Sequence, residues 1–346
     1  MAIPSPSGSE GPLVDRLVRE LDGRFAHVGR DDAGNLHVRR GGGPRTVMFL
    51  GHVDTVPGDV PVEDDGEVLR GRGTVDAKGP LCAALAAVAE LDADTADRLS
   101  VHVVGAVGEE APGSVGARHV LTTTPAPDLL IVCEPSGWDA VTLGYKGSLR
   151  LTVSAERDGG HSAGPGPSAG DLLVSGVARL QAAADEATPD AEGAFDALKA
   201  TVLSLHHDHD GLRERARAAV GLRLPPAWPP ARTRALLTEL PLPEGVRLRE
   251  VEAVPAVRGE RDGPLARAFR VALRNHGVRP RLLVKTGTSD WNVVADAWPV
   301  PALAYGPGDA ALDHAPDEHV RWEDYERGVS VIGTVLAHLA SAADGG

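Results

Sequence analysis

The chain has 346 residues, of which 42% are hydrophobic and 24% are charged, so it is long enough for two globular domains with a sizeable core. Its formal net charge of −14 at pH 7 argues against nucleic acids and anionic membranes as main partners, because both are bound by basic protein surfaces. The N-terminal stretch MAIPSPSGSE lacks a signal-peptide pattern, and no apolar run reaches the roughly 20 residues of a membrane-spanning helix, so we expect a cytoplasmic protein.

Strand-like apolar runs alternate with helical patterns in the first part of the chain. The predicted order is helix 11–23, strand 46–50, helix 79–93, strand 99–107, helix 114–122 and strand 128–134. Such alternation predicts an α/β sheet with helices on both faces. Ligand residues of sheets of this kind gather at the strand ends.

The pattern changes after residue 147. Between residues 148 and 256 the predicted order is strand, helix, strand, strand, helix, strand, at 149–156, 169–186, 198–206, 215–224, 229–240 and 246–254. This order is typical of a ferredoxin-like α+β unit. Residues 257–346 return to the earlier alternation, with helix 264–277, strands 281–287 and 301–306, and helix 322–342. We therefore predict a main domain in two parts, 1–147 and 257–346, with a smaller domain inserted at 148–256.

Histidine and carboxylate side chains recur where the predicted strands meet loops that contain Gly or Pro. His52 and Asp54 end the strand in MFLGHVDTVPGD, and residues two apart in a strand point to the same face. The other residues of this kind are Asp76, Glu109, Glu110, Glu134 and His314. A lone His-x-Asp is more often an ordinary polar turn, and acids in loops are usually solvated. Five such loops converging on one sheet edge nevertheless indicate a site.

These side chains suit metal binding. Imidazole and carboxylate ligands without thiolates fit zinc or a similar divalent ion, and an additional carboxylate can bridge two ions. Because divalent ions polarise a carbonyl and lower the pKa of water, such a site suits hydrolysis of an amide. The alternative is a decayed site without metal, but no ligand type is missing from the set.

The motifs resemble a known family. GHVDTVP, GRGTVDAKGP, GEEAPGSVGA, CEP and the C-terminal DH are similar to the zinc aminoacylase and carboxypeptidase family, which includes acetylornithine deacetylases and succinyl-diaminopimelate desuccinylases. The match runs across nearly the whole chain in family order. It implies a mixed sheet flanked by helices as a zinc-peptidase-like catalytic domain, with the inserted domain as lid and dimerisation domain of a homodimer. It also implies a cofactor of two divalent metal ions, Zn or Co.

The resemblance gives each of these residues a role. His52 and Glu134 would bind the first ion, Glu110 and His314 the second, and Asp76 would bridge the two ions. Glu109 would be the general base, and Asp54 would orient the imidazole of His52. His161 in GGHSAGP would stabilise the tetrahedral oxyanion, often from the partner subunit, although it could also be an ordinary loop histidine. The peptide bond after Asp76 would be cis.

Longer sequence motifs resemble one particular group of enzymes within this family. IPSPSGSE, VCEPSGWDAVTLGYKGSLRLTV, KTGTSDWNVV and PALAYGPGDAALDHAPDEHV look like hydrolases of the amino-group-carrier route to lysine and arginine. Such enzymes release lysine or ornithine from the γ-carboxyl of the C-terminal glutamate of a small acidic carrier protein, LysW. Thr288 and Ser289 would then line the pocket for the released amino acid, and Arg258 would bind a carboxylate, although Arg258 could equally be a surface charge.

Other functions stay open at this point. The protein could be an acetylornithine deacetylase, a succinyl-diaminopimelate desuccinylase or a dipeptidase that acts on a free small molecule. A non-catalytic metal-binding protein is a further alternative, but it should lack a general base, and Glu109 argues against it.

An acidic carrier is an awkward partner for an acidic enzyme, because like charges slow their encounter. In RERARAAVGLRL, strand alternation sends Val220, Leu222 and Leu224 to one face and Arg213, Arg215, Arg217 and Arg223 to the other. Arg150 is predicted to face outward in the same way. We hypothesise that this arginine face docks the carrier, while a solvated face or a dimer interface would produce the same pattern.

Overall fold

A computed structural model describes residues 1–161 and 164–342. The chain divides into two compact units. The first unit comprises Met1–Gly144, Arg258–Val284 and the chain from Ser289 onward, and the second comprises Tyr145–Val257 and Lys285–Thr288. Each unit has its own cluster of buried apolar side chains.

The elements are numbered in chain order. The helices are α1 (Gly11–Leu21), α2 (Lys78–Ala89), α3 (Ala93–Arg98), α4 (Val115–Thr123), α5 (Ala169–Ala187), α6 (Pro230–Glu239), α7 (Pro264–Asn275), α8 (Asp290–Val294) and α9 (Trp322–Ser341). The strands are β1 (His27–Arg30), β2 (Leu36–Arg40), β3 (Arg45–His52), β4 (Glu63–Asp64), β5 (Val68–Arg70), β6 (Leu99–Ala106), β7 (Leu129–Val132), β8 (Ala140–Tyr145), β9 (Gly147–Asp158), β10 (Lys199–His209), β11 (Arg213–Leu224), β12 (Val246–Val254), β13 (Val257–Arg258), β14 (Arg281–Lys285), β15 (Ala302–Ala304) and β16 (His319–Arg321).

A nine-stranded mixed sheet organises the first unit. Its order is β1-β2-β6-β3-β7-β15-β8-β13, and β14 also pairs with β8. β3 runs parallel to both β6 and β7, whereas β2 is antiparallel to β6. Residues of β3 and β7 are buried on both faces, which explains why these strands are continuous apolar runs rather than alternating patterns. The parallel strands β6, β3 and β7 therefore end side by side at one edge of the sheet.

Helices cover this sheet and complete its core. α2 is buried around almost its whole circumference, as expected for an Ala- and Leu-rich helix with no polar face, and it packs against β3 and α9. The predicted helix 79–93 corresponds to α2, which ends earlier, at Ala89. A separate short helix, α3, then begins at Ala93, where Asp92 is the N-cap and accepts a hydrogen bond from the Thr95 amide. Sequence analysis did not predict the short helix α8 or the short strands β1, β2, β4, β5, β8, β13 and β16.

The second unit has a four-stranded antiparallel sheet in the order β10-β11-β9-β12. The element order β9-α5-β10-β11-α6-β12 is the predicted ferredoxin-like order. α5 begins with a capping box between Ser168 and Asp171. Burial alternates along β9, so one face of this sheet packs on the helices and the other does not. The predicted α/β class with a ferredoxin-like insertion is confirmed.

Among the helices of the described residues, none combines the length and apolar character needed to cross a bilayer.

Candidate metal centre

The predicted ligands lie in the first unit, around the edge where β6, β3 and β7 end. His52 is the last residue of β3, Glu110 follows β6, and Glu134 follows β7. Asp76 precedes α2, and His314 lies in the loop before β16. This placement follows from the parallel pairing of the three strands, because their carboxyl ends must share one edge.

Asp76 lies between two imidazoles. Its Oδ1 is 3.1 Å from His52 Nε2, and its Oδ2 is 3.1 Å from His314 Nε2. Glu110 Oε1 is 2.9 Å from His314 Nε2, and Glu134 Oε1 is 3.7 Å from His52 Nε2. The two oxygens of one carboxylate thus face two separate pairs of donors, which is the arrangement that a bridging ligand between two ions requires.

The side chains around Asp76 have an electrostatic character that suits divalent cations. Burial raises the pKa of Asp76, but hydrogen bonds from His314 and His52 outweigh burial and lower it overall. Asp76 and Glu110 in turn raise the pKa of His314 to about 10. Donor atoms of His52, Asp76 and Glu110 all lie within 4.8 Å of one another. The lowered pKa of Asp76 favours its ionised form, and the converging nitrogen and oxygen donors form a set that suits zinc or a similar ion.

Glu109 has the character of a base. Burial raises its pKa well above the ordinary value, and although His52 opposes this, the acidic neighbours Asp290 and Glu134 raise it further. A buried carboxyl of this kind can take part in proton transfer. Its neighbour Glu110 contacts His314 within the ligand group.

Asp54 is fully buried and has two kinds of contact. Its carboxylate lies 3.5 Å from His52 Nδ1, while its main-chain carbonyl is closer to that nitrogen, at 2.9 Å. Its Oδ1 and Oδ2 accept hydrogen bonds from the amides of Glu109 and Glu110, at 3.1 and 3.0 Å. Asp54 thus holds the backbone of the predicted base and of a predicted ligand in addition to facing the imidazole, and the sequence did not indicate these backbone contacts.

Glu318 holds the backbone that carries Asp76, the predicted bridging residue. It is fully buried, and its Oε1 accepts hydrogen bonds from the amides of Gly73, Val75 and Asp76, at 2.9, 2.9 and 3.1 Å. Its Oε2 is paired with Arg72 at 2.8 Å. The peptide bond between Asp76 and Ala77 is cis, as predicted. Sequence analysis did not identify Glu318, because an acid in the loop DHAPDEH gives no sign of its partners some 240 residues earlier.

Asp290 is a second residue that the sequence did not reveal. It opens α8, is 2% exposed, and within the described residues neither carboxylate oxygen has a hydrogen-bond partner. Burial raises its pKa from the ordinary 3.8 to about 7. Its negative charge in turn raises the pKa of Glu109.

The structure places the remaining predicted residues as follows. His161 is an exposed residue of the second unit, and the next two residues of its motif, Ser162 and Ala163, lie outside the described residues. Thr288 also belongs to the second unit, where its Oγ1 accepts a hydrogen bond of 3.2 Å from Arg223. Ser289 is the N-cap residue of α8 and is buried, and Arg258 ends β13 as an exposed side chain.

Comparison with known proteins identifies the family. Residues 48–338 match the family model described as peptidase family M20/M25/M40. The chain belongs to this family. A LysW-lysine hydrolase from Deinococcus radiodurans is 45% identical over 343 residues, which cover 98% of this chain and 94% of that protein. A protein from Thermococcus kodakarensis, named provisionally as a LysW-lysine/LysW-ornithine hydrolase, is 36% identical over 341 residues, or 98% of this chain and 89% of that one.

The fold is also that of a solved family member. The M20 family metallo-carboxypeptidase Sso-CP2 from Sulfolobus solfataricus superposes with a TM-score of 0.78 at 16% identity, covering 96% of this chain and 95% of that chain. The predicted resemblance and the predicted class of enzyme, a metal-dependent hydrolase of C–N amide bonds, are confirmed by family membership.

Proposed function

We propose that this protein releases lysine, ornithine or both from the γ-carboxyl of the C-terminal glutamate of an acidic carrier protein, LysW, as a step of lysine and arginine biosynthesis. The observation that carries the proposal is Asp76, which faces His52 and His314 with its two oxygens while Glu109 stands beside the same group. The 45% identity with a LysW-lysine hydrolase over nearly the whole chain supports the substrate.

Two divalent ions, Zn or Co, would be held by the proposed ligands. His52, Glu134 and one oxygen of Asp76 would bind the first ion, and Glu110, His314 and the other oxygen of Asp76 would bind the second. When bound, the ions would polarise the amide carbonyl and increase the acidity of water. The three ligand carboxylates would cancel most of the charge of the two ions. The small net charge that is left would lower the cost of holding the ions in a partly buried site.

The remaining steps belong to side chains of this chain. Glu109 would accept a proton from the attacking water and return it to the amino group of lysine as the C–N bond breaks. Asp54 would fix Glu109 through the backbone amide, so that the base stays in place as the proton moves. We keep Thr288, Ser289 and Arg258 as proposed substrate-binding residues, and His161 as the proposed oxyanion donor.

The arginine face is the proposed docking surface for the carrier, and the structure revises its membership. Arg213 pairs with Glu156 and Arg215 pairs with Asp210, both at 2.8 Å, so these two charges are largely balanced. Arg217, Arg247 and Arg249 are exposed and form no ion pair with a described residue. Arg217 and Arg247 flank Ser154 from β11 and β12, and Arg249 lies opposite Thr152. These three positive charges therefore lie on β11 and β12, on either side of β9.

Charge reversal tests the docking surface. Replacing Arg217, Arg247 and Arg249 together by Glu should lower kcat/KM for the carrier-linked substrate by roughly 10-fold or more at low salt, and much less at high salt. The same variant should match the wild type in metal content and in urea unfolding, since the three arginines are exposed. Arg234→Glu, on helix α6 of the same unit, is the control. Unchanged turnover of the carrier by the triple variant would refute docking on this face without refuting the hydrolase.

We further propose that residues 148–256 form an inserted lid and dimerisation domain of a homodimer. β10 is an edge strand of its sheet and exposes Val202, Leu203 and Leu205 at 36, 55 and 55%. A long apolar edge strand is a ready site for pairing with a second chain. Leu203→Lys should shift the protein toward monomer in sedimentation velocity, and an unshifted dimer would place the interface elsewhere.

One experiment tests the main proposal. The purified carrier, loaded with lysine or with ornithine, is incubated with the enzyme and zinc or cobalt, in parallel with the N-acetyl forms of both amino acids. Release from the carrier alone would support the proposal and show the preferred amino acid. Release from the acetylated compounds alone would instead indicate a deacetylase of free small molecules. The cytoplasmic location stays a prediction.

A further inference from the structure

Four consecutive backbone amides after β6 are each bound by a buried side chain. The Val107 amide donates to Asn35 Oδ1 at 2.9 Å, and the Gly108 amide donates to Glu10 Oε1 at 3.1 Å. The next two amides donate to Asp54, as described above. Glu10, Asn35 and Asp54, which we call the loop clamp, come from three separate segments of the chain. They hold the stretch that carries Glu109 and Glu110.

The clamp residues are themselves fixed. Asn35 is fully buried, and its Nδ2 donates to Asp31 Oδ2 at 2.8 Å and to the Gly116 carbonyl at 3.1 Å. Glu10 is 6% exposed and also accepts a hydrogen bond from the Gly8 amide at 3.0 Å. Each side chain therefore has little freedom to move away from the amide that it binds.

The clamp explains the N-terminal string SPSGSE, which until now had no role. Ser5 Oγ donates to the Val53 carbonyl at 2.7 Å, and Ser7 Oγ donates to Asp54 Oδ2 at 2.7 Å. The Thr55 amide donates to the Ser5 carbonyl at 3.0 Å. The string thus binds the end of β3 at Val53–Thr55 and, through Glu10, the loop after β6. It joins two of the segments that bear predicted site residues.

A clamp is needed at this point because Gly108 directly precedes Glu109. Gly108 has a φ of +69°, in the left-handed region, and glycine has the widest choice of backbone conformations. A rotation at Gly108 would swing the carboxylate of Glu109 away from its place. Misplacement of a catalytic group by about 1 Å can cost on the order of 100-fold in rate.

We propose that Glu10 and Asn35 are positioning residues, which fix the backbone at Val107 and Gly108 so that the carboxylate of Glu109 stays in place as a base. This inference rests on the proposed role of Glu109. Neither residue would touch substrate or ion, since both act through the amides of Val107 and Gly108. The clamp should therefore affect the rate of the chemical step rather than the binding of substrate.

Variants of Glu10 test the clamp. Glu10→Ala removes the acceptor of the Gly108 amide and should lower kcat by about 10- to 100-fold, with KM and metal content unchanged. Glu10→Gln keeps an oxygen at the same place and should restore most of the rate. Asn35→Ala should resemble Glu10→Ala. If Glu10→Ala fails to fold, Glu10→Asp, which withdraws the carboxylate by one methylene, replaces it.

The matched control is Asp92→Ala. Asp92 also accepts a backbone amide hydrogen bond in the first unit, from Thr95 at the start of α3, but it is not part of the clamp. It should lower stability and leave kcat unchanged. A kcat of Glu10→Ala within about twofold of the wild type, or a change confined to KM, would overturn the proposal. Equal losses in Glu10→Gln and Glu10→Ala would overturn it too, since charge rather than the hydrogen bond would then matter.

Hydrogen exchange provides a readout that does not depend on activity. In Glu10→Ala, the peptide that contains residues 107–110 should exchange its amide hydrogens at least about 10-fold faster than in the wild type. Unchanged exchange would overturn the clamp. If the wild-type enzyme cleaves no amide substrate at all, the proposed function fails, and the exchange measurement still decides whether the clamp exists.

Discussion

Glu318→Ala should be among the most destabilising substitutions around the metal centre. The substitution removes one carboxylate that binds three buried amides and one guanidinium. A buried amide left without an acceptor costs about 1 to 3 kcal/mol, and removing one partner of a buried ion pair costs about 3 to 5 kcal/mol. These costs overlap, because the loop 73–76 can relax or admit water. We therefore expect a loss of about 4 kcal/mol in the free energy of unfolding.

The assay is urea unfolding of the metal-free protein, so that the effect on folding is separated from metal binding. Glu318→Gln keeps an oxygen acceptor but loses the charge, and it should lose about half as much free energy. The control is Asp262→Ala, which breaks an exposed pair with Arg270 and should cost no more than about 1 kcal/mol. Metal content, measured on the folded variants, should fall with Glu318→Ala, since the amide of Asp76 loses its anchor.

A loss below about 1 kcal/mol for Glu318→Ala would refute this reasoning. It would mean that the three amides find other acceptors, and that the loop bearing Asp76 is held by something other than Glu318.

Three further predictions follow from the same geometry. Glu109→Gln should lower kcat by about 100-fold or more with normal metal content, and near-normal turnover would refute its assignment as the base. Asp76→Ala should reduce the bound metal, measured by mass spectrometry, more than Glu134→Ala does, because only Asp76 faces both histidines. Asp290→Asn should remove a pH-dependent loss of stability: a folded pKa of about 7 against 3.8 means that the wild type loses stability as pH rises from about 4 to 7, by up to about 1.4 kcal/mol per pH unit. A variant that parallels the wild type in urea unfolding at every pH would refute the last prediction.

The sequence predicts those features that depend on local periodicity. The buried runs of β3 and β7 and the alternation in β11 fix which side chains share a face, so the strand ends and the outward side chains of β11 follow from the sequence. The pairing of Arg213 with Glu156 does not follow, because the two residues are 57 positions apart and meet only through the register of β11 and β9. For the same reason, sequence analysis counted Arg213 and Arg215 among the charges available to the carrier, whereas both form ion pairs in the structure.

The sequence alone does not show which acids around the metal centre bind backbone amides and which face the histidines. Asp54, Glu10 and Glu318 lie in the same kinds of Gly- and Pro-containing loops as Asp76, Glu110 and Glu134, and the loop composition does not distinguish the two groups. In the structure each acid of the first group accepts hydrogen bonds from backbone amides. The second group instead faces the imidazoles of His52 and His314.

This division lets one partly buried region contain many carboxylates. If all of them faced the same space, their mutual repulsion would raise their pKa values and protonate some of the ligands. Backbone amides instead bind Asp54, Glu10 and Glu318, and Arg72 also pairs with Glu318, while cations would balance the proposed ligands Asp76, Glu110 and Glu134. The amide-bound carboxylates hold the loops that carry the proposed base and two of the proposed ligands. The positions of these two ligands thus depend on acids that are not themselves proposed to bind an ion.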